Sequence, residues 1–353
     1  MGLVKNRAMP RRSVTSYDIA KAAGVSQSAV SRAFSPGAPI AAKTRERILN
    51  VAAEMGYQPN AIARSMSSAR TEAHQKSGMV GVIVTRLEDP FFAHTIAHFS
   101  RHLQAAGWHM LLFTVDTEAE VDGALNALMQ YKVDSIIILS AILSKHMARV
   151  CRDQGTPVML YNRGAEGLDV NSVQIENHEG GRIAGGILRE AGHERIAFVA
   201  GDPDDETSQG RAAGLAERLA EDGLEIMLHE TGDYTFVGGR EAGLRLFSRV
   251  ERPDAVFCAS DVMALGVLHA ARHELGLEAP RDFSLIGFDD IPAAAWPGHM
   301  LTTIRQPIRR MIREAVDITI DQMTTPGQPA RITRFSGALI LRGTVRGAGP
   351  GGA

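Results

Sequence analysis

Seven short apolar runs, separated by stretches of helical periodicity, constrain what this chain can fold into more than any other feature. "MVGVIVT" (79–85), "HMLLFTV" (109–115), "SIIIL" (135–139) and "PVMLYN" (157–162) make a first series, and "RIAFVA" (195–200), "AVFCAS" (255–260) and "SLIGF" (284–288) a second. Runs that do not alternate polar with apolar bury both faces, the mark of parallel strands covered by helices on either side. Two series predict two doubly wound α/β lobes. The stretch 301–323 is expected to cross between them and add a helix to the first lobe. In open sheets of this type, ligands sit beyond the carboxyl ends of the strands. A site is therefore expected in the cleft between the lobes.

The residues at those strand ends supply its candidates. "EDPFF" offers Phe91 and Phe92 as stacking faces or as core, and "YNRG" places Asn162 and Arg163 after the fourth strand. "SQGRAAGLAERL" puts Arg211 near the start of a helix, where the dipole disfavours a cation and a functional fork is the better reading. "ASDVMALG" gives Ser260, with Asp261 either a helix cap or a ligand group, and "GFDD" brings Asp289 and Asp290 past a strand, with Trp296 nearby. Arginines, an aspartate and an aromatic wall suit a hydroxylated or acidic small molecule, a carbohydrate or sugar acid. Enzyme signatures do not emerge. "GGRIAGG" (180–186) fits neither a P-loop nor a dinucleotide fingerprint and reads as close helix packing, and no GxSxG elbow occurs. Cys151 and Cys258 are read as reduced core thiols, and neither a metal nor a cofactor is expected.

The net charge of −2 hides a division: residues 1–76 hold twelve Lys and Arg against four acids, a balance of +8, which leaves −10 for the remainder. A basic head on an acidic body is the footprint of a chain whose head meets nucleic acid. Within it, "VTSYDIAKAAGVSQSAVSRAF" (14–34) divides into two short helices around Gly24. Thr15 and Ser26 are the expected caps, and Ile19, Ala20, Ala23, Val25, Ala29, Val30 and Ala33 the inward positions. Gln27, Ser28, Ser31 and Arg32 face out, the amide, hydroxyl and guanidinium set that reads base edges and phosphates in a major groove. A third helix, "KTRERILNVAAEMG" (43–56), is expected to close a small core with Ile48, Val51, Ala52 and Met55.

"YDIAKAAGVSQSAVSRAF" followed by "KTRERILNVAAEMGYQPNAIARSM" resembles the DNA-binding headpiece of the lac repressor (LacI/GalR) family, and "GDY", "SDVMALG", "SLIGFDD" and "LTTIRQP" resemble its periplasmic-binding-protein-like effector domain in the expected order. The resemblance implies an all-α helix-turn-helix headpiece over 13–59, a hinge helix and linker over 60–76, and a two-lobed α/β domain for effector binding and dimerisation over 77–345. It implies a DNA-binding set in which Gln27 and Ser28 read bases with Arg32 a turn later, Tyr17, Ser26 and Ser31 touch the backbone beside Ser16, Arg64 contacts phosphate or the minor groove, and Ile62 and the Ala-rich face that includes Ala63 pack against the symmetry mate on DNA. Met66 takes the place of the family's leucine wedge, and "NAIARSMSSAR" (60–70), too short to hold as an isolated helix, takes that of the hinge that orders on DNA. Arg211 and Asp289 become the leading effector contacts, whereas Ser260 stands where sugar-responsive relatives often carry asparagine. Ser16, Ser35 and Ala41 depart from the pattern; Ala41 replaces a capping serine. The expected partners are a pseudo-palindromic double-stranded operator, a small-molecule effector and a second copy of the chain, in the cytoplasm and with no membrane contact. A solute-binding receptor is the alternative, disfavoured by the basic head and by an N-terminus without an apolar signal region.

Overall fold

Three helices follow from the caps in the basic head: α1 (Ser16–Ala23), α2 (Gln27–Ala33) and α3 (Ala42–Glu54). The structure, a computed structural model, describes residues 14–34, 37–57, 77–202 and 205–347. Thr15 forms a capping box with Asp18, and Gly24 closes α1 in the left-handed conformation (φ 63°) that a Cβ would strain. Ser26 accepts from the Ala29 N–H and starts α2, while Ala41 leaves α3 without a side-chain cap. Ile19, Val30, Ile48 and Ala52 meet in one small core, with Val25, Ala29 and Val51 half-buried against it. Met55 is an exception to the expected core face. It is the C-cap residue of α3 and is exposed, beyond the buried Ile48 and Ala52.

Residues 1–77 and 78–353 form two compact units. The larger is built on two six-stranded sheets. In the first lie β1 (Met79–Thr85), β2 (His109–Val115), β3 (Ser135–Leu139), β4 (Val158–Tyr161), β5 (Asn171–Ile175) and β11 (Ile332–Phe335), in the order β11-β5-β4-β3-β1-β2. In the second lie β6 (Ile196–Ala200), β7 (Leu228–Thr231), β8 (Ala255–Cys258), β9 (Ser284–Asp289), β10 (Thr302–Arg305) and β12 (Ala338–Ile340), in the order β12-β10-β9-β8-β6-β7. Every pairing is parallel except β10 with β12.

Helices α4 (Pro90–Ala105), α5 (Val121–Gln130), α6 (Lys145–Asp153), α7 (Asn177–Glu190), α8 (Glu206–Ala220), α9 (Phe236–Phe247), α10 (Asp261–His269) and α11 (Ile308–Thr324) cover the sheets. The chain passes between lobes three times: from β5 into α7, from β10 into α11, and from β11 into β12. α11 packs on α4, β4 and β5, so the closing stretch returns a helix to the first lobe. Cys151 and Cys258 are free, buried thiols, and burial raises both, Cys151 to about 11.

The run "GGRIAGG" lies on α7 where it meets α8 at backbone contact. A Cβ on Gly181 would stand 2.1 Å from the carbonyl oxygen of Arg211, and one on Gly214 would stand 1.8 Å from that of His178. These absent side chains fix how far α8, and Arg211 with it, reaches toward the cleft.

Candidate functional site

On the headpiece, α2 presents Gln27, Ser28, Ser31 and Arg32 to solvent. The Gln27 amide is not loose: its Nε2 donates to Ser16 Oγ at 2.8 Å, which ties the start of α2 to α1. Ser26 Oγ lies 2.9 Å from Ser28 Oγ, and Arg32 Nε donates to the Ser28 carbonyl at 3.3 Å. Tyr17 is exposed on the neighbouring helix. An amide pre-aligned by a serine suits bidentate reading of a base edge. Ile62, Ala63, Arg64 and Met66 lie outside the described residues.

In the larger unit, strand ends converge between the lobes. Arg86 follows β1, Ser140 follows β3, Asn162 follows β4, and Ile175 closes β5; across the gap, Tyr234 follows β7, Asp289 closes β9 and Gln306 follows β10. With Asp89, Phe91 and Phe92 at the start of α4 and Asp205, Thr207 and Arg211 at the start of α8, they line one cavity. Of the nine described non-glycine residues with positive φ, five (Arg86, Ser140, Asn162, Tyr234 and Asp289) line it. Such backbone persists where the surroundings over-determine it, and it clusters at functional sites. It turns these side chains inward at the strand ends.

The cavity is polar, with aromatic walls. Arg211 is 3% exposed; its Nε donates to Asn177 Oδ1 at 2.9 Å, its Nη1 to the Ala259 carbonyl, and its guanidinium lies 3.5 Å over the Phe288 ring. Asp289 Oδ1 accepts from Gln306 Nε2 at 2.7 Å and stands 3.9 Å from Arg211. Burial pushes the Asp289 carboxyl up to about 7 against the opposing charge of Arg211, with Asp89 adding to the rise. Burial lifts Asp89 as well, although its Oδ1 accepts the Phe91 N–H at 2.9 Å. Phe91 and Phe92 meet edge to face at 5.2 Å, and Arg86 lies 4.4 Å over the Tyr234 ring. Two buried atoms in this wall have no partner: the donor Arg86 Nε and the acceptor Asn162 Oδ1.

Of the effector candidates read from sequence, Phe91, Phe92, Asn162, Arg211 and Asp289 share this cavity. Arg163 borders an adjoining space instead and pairs with Asp205. Ser260 and Trp296 line neither. Ser260 Oγ is spent on the Met263 N–H as the cap of α10, and Trp296 is exposed, stacked on His299. Asp261 is likewise structural, accepting from Thr303 Oγ1 at 2.6 Å and from the Ile291 N–H at 2.9 Å. Arg211 stands in the second turn of α8, where the dipole argument loses its force.

Sequence reading passed over Arg86, Asp89, Asp205 and Tyr234. "EDPFF" and "GDY" carried a signal for Asp89 and Tyr234: an acid ahead of a proline at a helix start, and an aromatic just past a strand. The expectation that the twelve histidines form no HxxxH pair is wrong: His94, His98 and His102 are spaced by four along α4, and His269 and His273 by four as well. His94 and His98 place their Nε2 atoms 3.2 Å apart, yet no group of three His, Cys, Asp or Glu among the described residues is arranged to hold a metal ion.

Residues 15–60 match the bacterial regulatory proteins of the lacI family, and residues 186–345 match the periplasmic binding protein-like domain. HTH-type transcriptional repressor PurR of Erwinia tasmaniensis is 31% identical over 338 residues, 94% of this chain and 96% of that protein. The chain belongs to the LacI/GalR family. Among solved structures, the lac repressor dimer bound to operator and the anti-inducer ONPF matches with a TM-score of 0.82 at 25% identity, over 94% of this chain and 99% of that one. The complex of the transcriptional regulator CelR with cellobiose matches with a TM-score of 0.69 at 28% identity, over 94% and 99%. As a LacI/GalR member the chain is a DNA-binding transcriptional repressor, and its relatives are regulators rather than enzymes. No helix among the described residues is long and apolar enough to cross a membrane.

Proposed function

We propose that the chain is a cytoplasmic homodimer that represses transcription by holding a pseudo-palindromic operator, and that a carbohydrate or sugar acid in the interlobe cleft releases it. The observation that carries the effector half is the unpaired donor and acceptor, Arg86 Nε and Asn162 Oδ1, in a wall that also holds Arg211, Asp289 and three aromatic rings. A ligand hydroxyl donates and accepts at once, so it answers both, while rings pack on the apolar faces of a sugar. The CelR complex with cellobiose supports the class. On the DNA side, Gln27, Ser28 and Arg32 read bases, Tyr17, Ser26 and Ser31 hold the backbone beside Ser16, Arg64 and Met66 enter the minor groove, and Ile62 and Ala63 pack against the symmetry mate. A two-fold dimer sets its reading helices about one helical turn apart.

Thermal-shift screening of the full chain against sugars, sugar acids and nucleobases tests the reading, followed by gel shift on operator DNA with each hit. A saccharide or sugar acid should raise the melting temperature and weaken the operator complex. Arg211→Ala should lower affinity for that hit about 10–100-fold, the loss of hydrogen bonds to a buried charge. Unchanged affinity in a folded variant removes Arg211 from the site, and a nucleobase hit replaces the ligand class.

A further inference from the structure

The cleft between the lobes is not one space. The cavity bounded by Arg211 and Asp289 has room for little more than a water, about 30 Å³. Beyond Arg163 lies a second space of about 220 Å³, bordered by Gln174, Glu176, Glu206 and Arg334. The two share Asn162, Ile175, Asn177 and Thr207 as walls. Arg163 borders the larger space and Asp205 the smaller, and the ion pair between them bridges the lobes. Arg163 Nη1, from the end of β4 in the first lobe, donates to Asp205 Oδ1 at 2.5 Å, at the start of α8 in the second. The other oxygen, Asp205 Oδ2, accepts from Tyr234 Oη at 2.6 Å. Arg163 Nη2 also donates to the Ser140 carbonyl at 3.3 Å, and Arg86 of the first lobe covers the Tyr234 ring. Arg163 and Asp205 are each 8% exposed in their side chains.

We infer that Arg163, Asp205 and Tyr234 form a latch that holds the two lobes closed without ligand, and that its rupture joins the two spaces into one site. Parting the lobes breaks this charge-assisted hydrogen bond, a kind stronger than a neutral one, and lifts Arg86 off the Tyr234 ring. The lobes are also joined by three chain crossings and by Asn162 Nδ2, which donates to Gln306 Oε1 at 3.0 Å. The latch therefore competes with any occupant of the cleft. The apparent affinity of an occupant is reduced by the fraction of molecules with the latch open. This last consequence rests on the proposed function; the closure itself does not.

The test needs no ligand. Nitroxide labels at Tyr131→Cys and Val250→Cys mark the two lobes at exposed positions near the strand starts, remote from the cleft, and the native cysteines are buried and unreactive. Mixing with excess unlabelled full-length protein leaves one labelled subunit per dimer. Electron–electron spin distances are then compared in wild type, in Arg163→Met with Asp205→Leu, which removes both charges together, and in Tyr234→Phe, which keeps the ring and removes only the hydroxyl. The double variant should shift the distance distribution to longer values, with Tyr234→Phe moving the same way by less. A wild-type distribution in the folded double variant overturns the latch. Should that variant fail to fold, Arg163→Gln with Asp205→Asn, which removes both charges but keeps polar side chains, decides instead, and an unchanged distribution there overturns the latch equally.

Discussion

Asp289 carries an acid–base consequence that can be measured. Its carboxyl is raised from an ordinary 3.8 to about 7, first by burial and then by the neighbouring Asp89, against Arg211 and Gln306. Between those values the folded state keeps a proton that the unfolded chain has released. Stability contributed here is therefore present below pH 3.8 and lost as pH rises toward 7, by at most about 1.4 kcal/mol per pH unit. Asp205 runs the other way: burial alone would raise it, but Tyr234, Arg163 and Arg86 outweigh burial and hold it below its usual value. Its contribution is lost only as pH falls below the ordinary carboxylate range, so the two windows do not overlap. Wild type should lose stability relative to Asp289→Asn as pH rises from 5 to 7.5, and the gap should level off above about 8. Denaturant unfolding at each pH measures it; parallel curves would return Asp289 to an ordinary carboxylate. At this scale the sequence was legible where chemistry is local. Asp289 stood out as a charge just past an apolar strand and Arg211 as a cation near a helix start, whereas Arg163 and Asp205 became partners only through a fold that brings positions 42 residues apart to 2.5 Å.

Strands were legible where their composition is apolar. All seven continuous apolar runs are strands: β1, β3, β4, β6, β8 and β9 are buried almost throughout, and β2, at a sheet edge, is half-buried yet apolar. β5, β7, β10, β11 and β12 escaped: "NSVQI" and "TTIR" are at least half polar although they lie inside their sheets, and "LHET", "ITRF" and "ALI" sit at sheet edges, where pairing rather than composition makes the strand. Caps were legible too. Ala41 has the extended backbone of a cap residue (φ −61°, ψ 134°) but no oxygen to offer. Ala41→Ser should stabilise the headpiece by about 1 kcal/mol, read as a higher denaturation midpoint with unchanged slope. The glycines of α7 are unequal in the same way. Gly181→Ala drives a methyl against the Arg211 carbonyl and should destabilise by about 1–3 kcal/mol while weakening effector binding. Gly186, whose nearest neighbour would stand 3.9 Å from an added Cβ, should accept alanine without loss and gain up to about 1 kcal/mol of helix propensity. Equal effects at the two positions would show that α8 does not rest on Gly181.

At the scale of the whole molecule, a basic head of +8 and a body of −10 divide the work between two kinds of ligand. DNA binding by the head releases counterions and must weaken steeply with salt. The cleft buries its charges among neutralising partners, Arg163 with Asp205 and Arg211 near Asp289, and should respond to salt far less. The two sites lie on separate units; on the proposed reading, in which an effector releases a dimeric repressor, they must be coupled, and the coupling is reciprocal. Whatever factor saturating effector removes from operator affinity, saturating operator must remove from effector affinity, counted over both cleft sites of the dimer. The expected size is about 5–150-fold. Four dissociation constants close the cycle: operator with and without effector, and effector with and without operator, at one salt concentration and one pH. The two ratios should agree, and they should still agree when salt weakens both operator arms together. The location is tested by a variant: if Arg211→Ala leaves the effector's power to release operator unchanged, the ligand that releases DNA acts somewhere other than the cleft between the lobes.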